Sequence, residues 1–318
     1  MSSSSRYEEI VALSPQGSVF ATKWWLDAVA PGMWKANVVE DGNLCAAWPT
    51  VVKRNHWGDI HVGAPLTPFL GPLLPSIEAG KRRWTIAEQC FELLLEKFGS
   101  YAHLEARCHP SFTYWTPLSW HGFTQTTRYT WRLDDLSDLS AVESALRPNI
   151  RGDIRKACKQ GITVSEGTKS DFFGLHSGSS EARYQLVETT QNAINAVDGP
   201  AEEHGARCVL IARGQDGSPH AAGYFVWDHS SMYYLVGASD TQLRSSGATS
   251  LLLWEAVKFA AERGLSFDFE GSMIRNIERF FRAFGGYPAP FSVVRSTPSS
   301  GVRAERSIKR ILRGVKRY

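Results

Sequence analysis

The sequence predicts an α/β (mixed α+β) protein built as two similar halves, each a central mixed sheet flanked by helices, and three observations carry that prediction. A chain of 318 residues that is 43% hydrophobic and 21% charged has the composition of a globular protein with a sizeable core, and its length suits two domains. One order of elements occurs twice: hairpin, strand, loop, helix, strand. Turn residues and apolar periodicity fix where each element falls.

In the first half, Ala36–Glu40 and Leu44–Lys53 flank Asp41-Gly42-Asn43, where Asp-Gly supplies the positive φ of a tight hairpin turn. A third strand near Ile60 leads into a Pro/Gly-rich loop ending at Pro75. Trp84–Phe98 carries Ile86, Ala87, Cys90, Phe91, Leu94, Leu95 and Phe98 at helical spacing, and Ala102–Ala106 returns as a strand. The second half repeats this with Arg207–Ala212, the turn Gln215-Asp216-Gly217, Ala221–Asp228, Met232–Ala238, the helix Thr249–Arg263 and the strand Ser266–Glu270. Between them, the acidic, Ser-rich stretch Asp134–Ala145 reads as a connector. The expected domains are therefore 1–135 and 136–300, followed by a basic tail, 301–318.

The net charge is only +3, too small to mark a nucleic-acid binder from bulk charge. Its distribution is uneven. The tail gathers Arg303, Arg306, Lys309, Arg310, Arg313, Lys316 and Arg317 against Glu305, which leaves the rest of the chain net negative. Ile308, Ile311, Leu312 and Val315 give that tail one apolar side if it is helical, so docking on the body, a membrane surface or RNA is open. Five cysteines without a CxxC pair read as buried thiols in a reducing compartment. The sequence shows neither an apolar leader nor a run of the roughly 20 apolar residues that span a bilayer, so a cytoplasmic protein is expected. Walker A, GxSxG and HExxH patterns are absent. His56 with His61, and His103 with His109, lack metal-ligand spacing, so no metal is expected. The 11 tryptophans read as core or interface packing.

Three stretches carry candidate chemistry. Arg147, Arg151 and Arg155 stand at i, i+4 and i+8, a like-charged helix face beside Lys156 whose repulsion an anionic ligand would relieve. Tyr233–Asp240 leads through Arg244 and Gly247 into a helix N-terminus, where unpaired backbone N–H groups make an anion cradle. In Phe267-Asp268-Phe269-Glu270-Gly271-Ser272, period-2 alternation places Asp268 and Glu270 on one strand face, where a carboxylate would orient or deprotonate an attacking amine.

These stretches, with Gly223, Leu252-Leu253-Trp254-Glu255-Ala256, Gly264 and Phe280…Phe284-Gly285-Gly286, resemble the Fem-type (FemABX-like) aminoacyltransferase branch of the GNAT acyltransferase superfamily. The resemblance covers residues 145–290 well. It reaches the first half through Trp48-Pro49, Lys53-Arg54 and Phe69-Leu70-Gly71-Pro72. It implies two tandem GNAT-like domains and amide-bond formation, with aminoacyl-tRNA or acyl-CoA as co-substrate and no resident cofactor. It also implies that His109-Pro110 stands where the family has a carboxylate before a proline, that Lys53, Arg54, Arg147, Arg151, Arg155 and Lys156 bind substrate, and that Leu235, Val236, Gly237, Arg244 and Gly247 hold the donor. Two departures bear on the donor: Thr249 fills the last small position of the coenzyme A loop, and Phe281 stands where many GNAT enzymes have a proton-donating Tyr. Both favour aminoacyl-tRNA, bound through the basic face and tail, with a small-molecule or peptide amine as acceptor. The absence of a coiled-coil insertion speaks against a peptidoglycan precursor. An acyl-CoA-dependent N-acyltransferase for an amino sugar or metabolite, and a non-catalytic RNA- or anion-binding GNAT pair, remain open at this point.

Overall fold

The computed structural model describes residues 3–41, 44–76, 83–176, 187–271 and 273–315. The Gly42-Asn43 turn, Ser272 and the last three residues lie outside them, and the chain forms two compact units: Met1–Arg128 with Phe291–Tyr318, and Tyr129–Pro290. This division differs from the expected one in where the chain's end belongs. From Phe291 onward, tail included, it groups with the first unit.

The first unit begins with α1 (Ser3–Leu13) and α2 (Lys23–Val29), followed by β1 (Trp34–Asp41), β2 (Leu44–Asn55) and β3 (Gly58–Val62). A crossover helix α3 (Arg83–Phe98) leads to β4 (His103–Arg107), and then come α4 (Thr116–Trp120) and β5 (Thr124–Leu133), whose residues from Tyr129 on belong to the second unit. The second unit continues through α5 (Leu139–Ala145), α6 (Pro148–Lys159), β6 (Thr163–Glu166), α7 (Lys169–His176), α8 (Val187–Glu203), β7 (Arg207–Arg213), β8 (Pro219–Trp227) and β9 (Ser231–Ser239). Its own crossover helix α9 (Ala248–Glu262) leads to β10 (Ser266–Asp268) and α10 (Arg275–Arg282). The chain closes with β11 (Tyr287–Ser296) and α11 (Ser300–Val315).

The two units repeat one plan. In the first, β1, β2 and β3 form an antiparallel meander, and β4 lies parallel to β3 because α3 carries the chain back across the sheet. In the second, β7, β8 and β9 form the meander and α9 returns the chain to β10, parallel to β9. The next strand is antiparallel in both, but it is exchanged along the chain: β11 pairs with β4, and β5 pairs with β10. Apolar burial holds each crossover helix. Trp48, Phe91, Leu94 and Leu104 are fully buried in the first core, with Trp48 edge-on to Phe98 at 5.3 Å. Leu252, Leu253, Ala256 and Val257 of α9 are fully buried in the second, which adds Phe267, Phe269 and Phe284.

Candidate active site

The second unit opens its sheet at one place. β9 and β10 pair only over Ser231–Tyr233 and Ser266–Asp268. Beyond Asp268 the chain stays with β5, since the Phe269 N–H donates to the Trp131 carbonyl at 2.9 Å, while β9 stays with β8 through Val236↔Tyr224 and Gly237↔Gly223. The two parallel strands therefore diverge, and backbone groups of β9 past Tyr233 that would have paired with β10 face the gap. A bulge falls at the same point: Tyr234 faces Phe225 and Val236 faces Tyr224, so Leu235 has no partner on β8. Residues Tyr234–Gly237 are half-exposed although the strand is interior to its sheet and its first three residues are buried. A bulged strand beside a splayed neighbour offers preorganised N–H groups to a carbonyl oxygen, the geometry that stabilises an oxyanion.

Residues 144–282 match the family described as an acetyltransferase (GNAT) domain. Over nearly the whole chain, the fold is similar to a crystal structure of FemX, at 12% identity with a TM-score of 0.67, covering 92% of this chain and 96% of that one. The chain has the Fem-like tandem GNAT fold. The C-terminal domain of a putative lysylphosphatidylglycerol synthetase from Agrobacterium fabrum is also similar, at 13% identity and TM-score 0.54 over 96% of this chain and 94% of that one. So is a tandem GNAT protein from the clavulanic acid biosynthesis pathway, at 10% identity and TM-score 0.52 over 92% and 93%. No curated protein sequence matches the chain. The matched residues 144–282 lie within the second unit and include β9.

Around that strand the GNAT domain departs from three sequence expectations. Asp268 is not on an exposed strand face but fully buried, accepting hydrogen bonds from the Thr130 hydroxyl, from the Glu270 N–H at 2.8 Å and from Arg132 Nη1 at 3.4 Å. Arg132 also donates to the Ser231 and Ser266 hydroxyls, so the carboxylate knits β5 to β10 rather than meeting an amine. Burial pushes its pKa up to about 6 against the pull of Arg132 and the two hydrogen bonds. Glu270 is no longer in the strand. It is half-buried with φ 53°, a left-handed conformation uncommon outside glycine, directly where the chain leaves β9. Of the two carboxylates, Glu270 alone flanks the gap.

The expected anion cradle is the third. Asp240 Oδ1 already takes the N–H groups of Gln242 (2.7 Å) and Leu243 (3.3 Å), and Ser246 takes that of Ala248. Gly247, the residue before α9, has φ 80°, and a Cβ there would lie 2.2 Å from the Asp153 carbonyl oxygen, so the loop is pressed onto α6 and only glycine fits. Asp153 also accepts from Ser250 Oγ at 3.1 Å, which sets a carboxylate in the first turn of α9 where a phosphate would otherwise sit. Arg244 is exposed at the start of this loop, and Lys156 donates to the Ser245 carbonyl. Sequence reasoning passed over Asp153 and Asp240, because an acid beside a basic run or in a turn reads as ordinary solvation.

Arg147, Arg151 and Arg155 do share the exposed side of α6, with Ile150 and Ala157 buried opposite. None of the three forms an ion pair among the described residues; Arg155 Nε donates only to the Arg151 carbonyl. The first unit holds the remaining candidates. Lys53 and Arg54 are exposed near the end of β2, with Arg54 3.6 Å from Asp59. His109 lies just past β4, its Nδ1 2.8 Å from Ser111 Oγ and its ring edge-on to Phe69. The tail is not a loose polycation up to its described end: α11 is helical to Val315, Val302 is buried, Arg303 donates to the Thr297 and Pro298 carbonyls, and Arg306 pairs with Glu105 at 3.1 Å and with His103. All five cysteines are free; three are buried, Cys45 is half-exposed and Cys158 exposed. Among the described residues, no cluster of metal ligands occurs and no helix is long and apolar enough to cross a membrane.

Proposed function

We propose that the chain is an aminoacyltransferase that moves an aminoacyl group from aminoacyl-tRNA to the amine of a small-molecule or peptide acceptor. The bulged, splayed β9 carries the acyl-transfer part of this reading. An aminoacyl ester is already activated, so holding its carbonyl against the β9 backbone, with the acceptor amine in line, supplies most of what catalysis requires. The amine attacks the carbonyl carbon, a C–N bond forms, the ester C–O bond breaks, and the proton lost by nitrogen ends on the departing ribose oxygen. In this reading Glu270, flanking the gap, takes the amine proton.

The donor preference is supported by charge. Asp153 of α6, hydrogen-bonded to Ser250 in the first turn of α9, and Asp240 in the preceding loop make that helix start a poor seat for a pyrophosphate, which disfavours coenzyme A. The unpaired Arg147, Arg151 and Arg155 form an exposed basic row suited to a phosphodiester backbone or a phosphorylated acceptor. The putative lysylphosphatidylglycerol synthetase domain has a similar fold, and a lysyl-bearing product in its name accords with an aminoacyl donor. The decisive experiment offers the protein charged tRNA and labelled acyl-CoA side by side, with an amine mixture as acceptor. Product that appears with charged tRNA and disappears after ribonuclease treatment is the expected result; turnover of acyl-CoA alone overturns the donor assignment.

A further inference from the structure

A GNAT-type reaction ends with a basic leaving group, and Phe281 has no proton to give it. The structure places a different hydroxyl at the gap. Tyr234, the residue before the bulge, packs its ring against Phe225 at 5.3 Å and edge-on to Phe281 at 6.0 Å. Its side chain then reaches along the strand to Gly237: a Cβ built on Gly237 would lie 1.6 Å from the Tyr234 hydroxyl oxygen. A side chain at position 237 would have to push the phenol oxygen aside, so glycine there is what lets the hydroxyl lie over the same backbone stretch that faces the gap. The bulge explains how the two meet. With Leu235 as an extra residue, Tyr234 and Gly237 fall on one face of β9, whereas three residues apart in a regular strand they would fall on opposite faces.

We propose that Tyr234 is the general acid of the transfer, replacing the hydroxyl that Phe281 lacks. This rests on the acyl-transfer reading above. As the amine–carbonyl C–N bond forms and the C–O bond to the leaving alcohol breaks, the Tyr234 O–H passes its proton to the leaving oxygen. The proton that the attacking nitrogen sheds, taken up first by Glu270, then returns to the phenolate, so protons and charge balance over one turnover. Gly237 acts as a positioning residue that keeps the hydroxyl over the bulge.

The test is Tyr234→Phe, which removes one oxygen and leaves the ring stack, with circular dichroism and melting confirming the fold. Turnover is measured with charged tRNA, whose alkoxide leaving group needs a proton, and with an aminoacyl aryl thioester, whose thiolate leaves without one. Tyr234→Phe is expected to lose about 100-fold in kcat with charged tRNA, together with the alkaline limb of its pH profile, and to stay within a few-fold of the parent on the thioester. Equal losses on both donors, or no loss with charged tRNA, overturns the assignment while acyl transfer stands. A parent protein that consumes neither donor overturns both readings.

Discussion

The parallel strand pair at the centre of each unit is built by the same moves and put to different use. In the first unit β3 runs five residues, Gly58–Val62, in unbroken register with β2, and its pairing with β4 is closed by buried histidines: His61 beside the Thr50 hydroxyl at 2.9 Å and edge-on to Phe98, and His103 beside Thr297. In the second unit β9 runs nine residues, and the bulge at Leu235 coincides with the divergence of β10. One added residue and a longer strand turn a closed sheet into a half-exposed gap. A duplicated scaffold does not carry a duplicated site, and the chemistry belongs to the unit whose ladder is interrupted.

The largest expected effect tests that contrast directly. Leu235→Pro removes a backbone N–H at the bulge, where the ladder to β8 is already broken. It should cut kcat/KM by about 10²–10³-fold, with melting temperature little changed. Ile60→Ala, on the corresponding strand of the first unit, should lower melting temperature and leave kcat/KM alone. Steady-state kinetics on both variants would break the comparison if the Ile60 change proved the more damaging to turnover.

A second contrast is electrostatic, and it runs in opposite directions in the two units. Asp268, buried in the second, is raised to about 6, so the native state holds its proton more tightly than the unfolded chain does. Stability from this group is full below the unfolded value of about 3.8 and is lost as pH rises through 6, a change of about 3 kcal/mol. His103 in the first unit is lowered to about 4, by burial and then by Arg306, so its contribution is full above about 6.5 and is lost as pH falls through 4. Asp268→Asn should therefore flatten the stability profile of the second unit between pH 4 and 6. Denaturant titration of parent and variant across that range measures it; an unchanged slope would deny Asp268 its buried, protonatable state.

Much of the plan was legible from sequence and the chemistry of the gap was not. The helices at Trp84–Phe98 and Thr249–Arg263 and the strands Arg207–Ala212 and Met232–Ala238 fall within a residue or two of α3, α9, β7 and β9, because amphipathic spacing and continuous apolar runs are local signals. The Leu235 bulge is invisible, since Tyr-Leu-Val-Gly reads equally well as regular strand. The Phe-Asp-Phe-Glu alternation misled: β10 ends at Asp268, and a half-buried arginine on another strand, Arg132, supplies the partner that lets a carboxylate enter a core. The exchange of β5 and β11 is equally silent, because pairing between distant segments leaves no trace in either one.

A smaller effect separates two sets of arginines that look alike in sequence. Arg151 and Arg155 are unpaired on α6, whereas Arg303 and Arg306 of α11 are engaged with carbonyls, Glu105 and His103. If α6 is the phosphate-binding surface, Arg151→Ala and Arg155→Ala should each reduce the slope of log affinity for charged tRNA against log salt by about 1, and Arg303→Ala should not. A filter-binding salt series decides between helix and tail.

The smallest effect concerns Arg306 itself. Glu105 keeps a second partner in Arg295 at 2.6 Å, and Arg306 is about half-exposed, so Arg306→Ala should cost only about 0.5–1 kcal/mol at pH 7. The same change removes a cation from beside His103 and lets that imidazole titrate closer to its ordinary value. With less proton affinity to lose on folding, the variant should give up less stability than the parent as pH falls from 7 to 5, so the gap between the two narrows in acid. A gap that widens instead would mean that Arg306 does not act on His103, and that α11 is held to the first unit by Val302 and Arg303 without help from this pair.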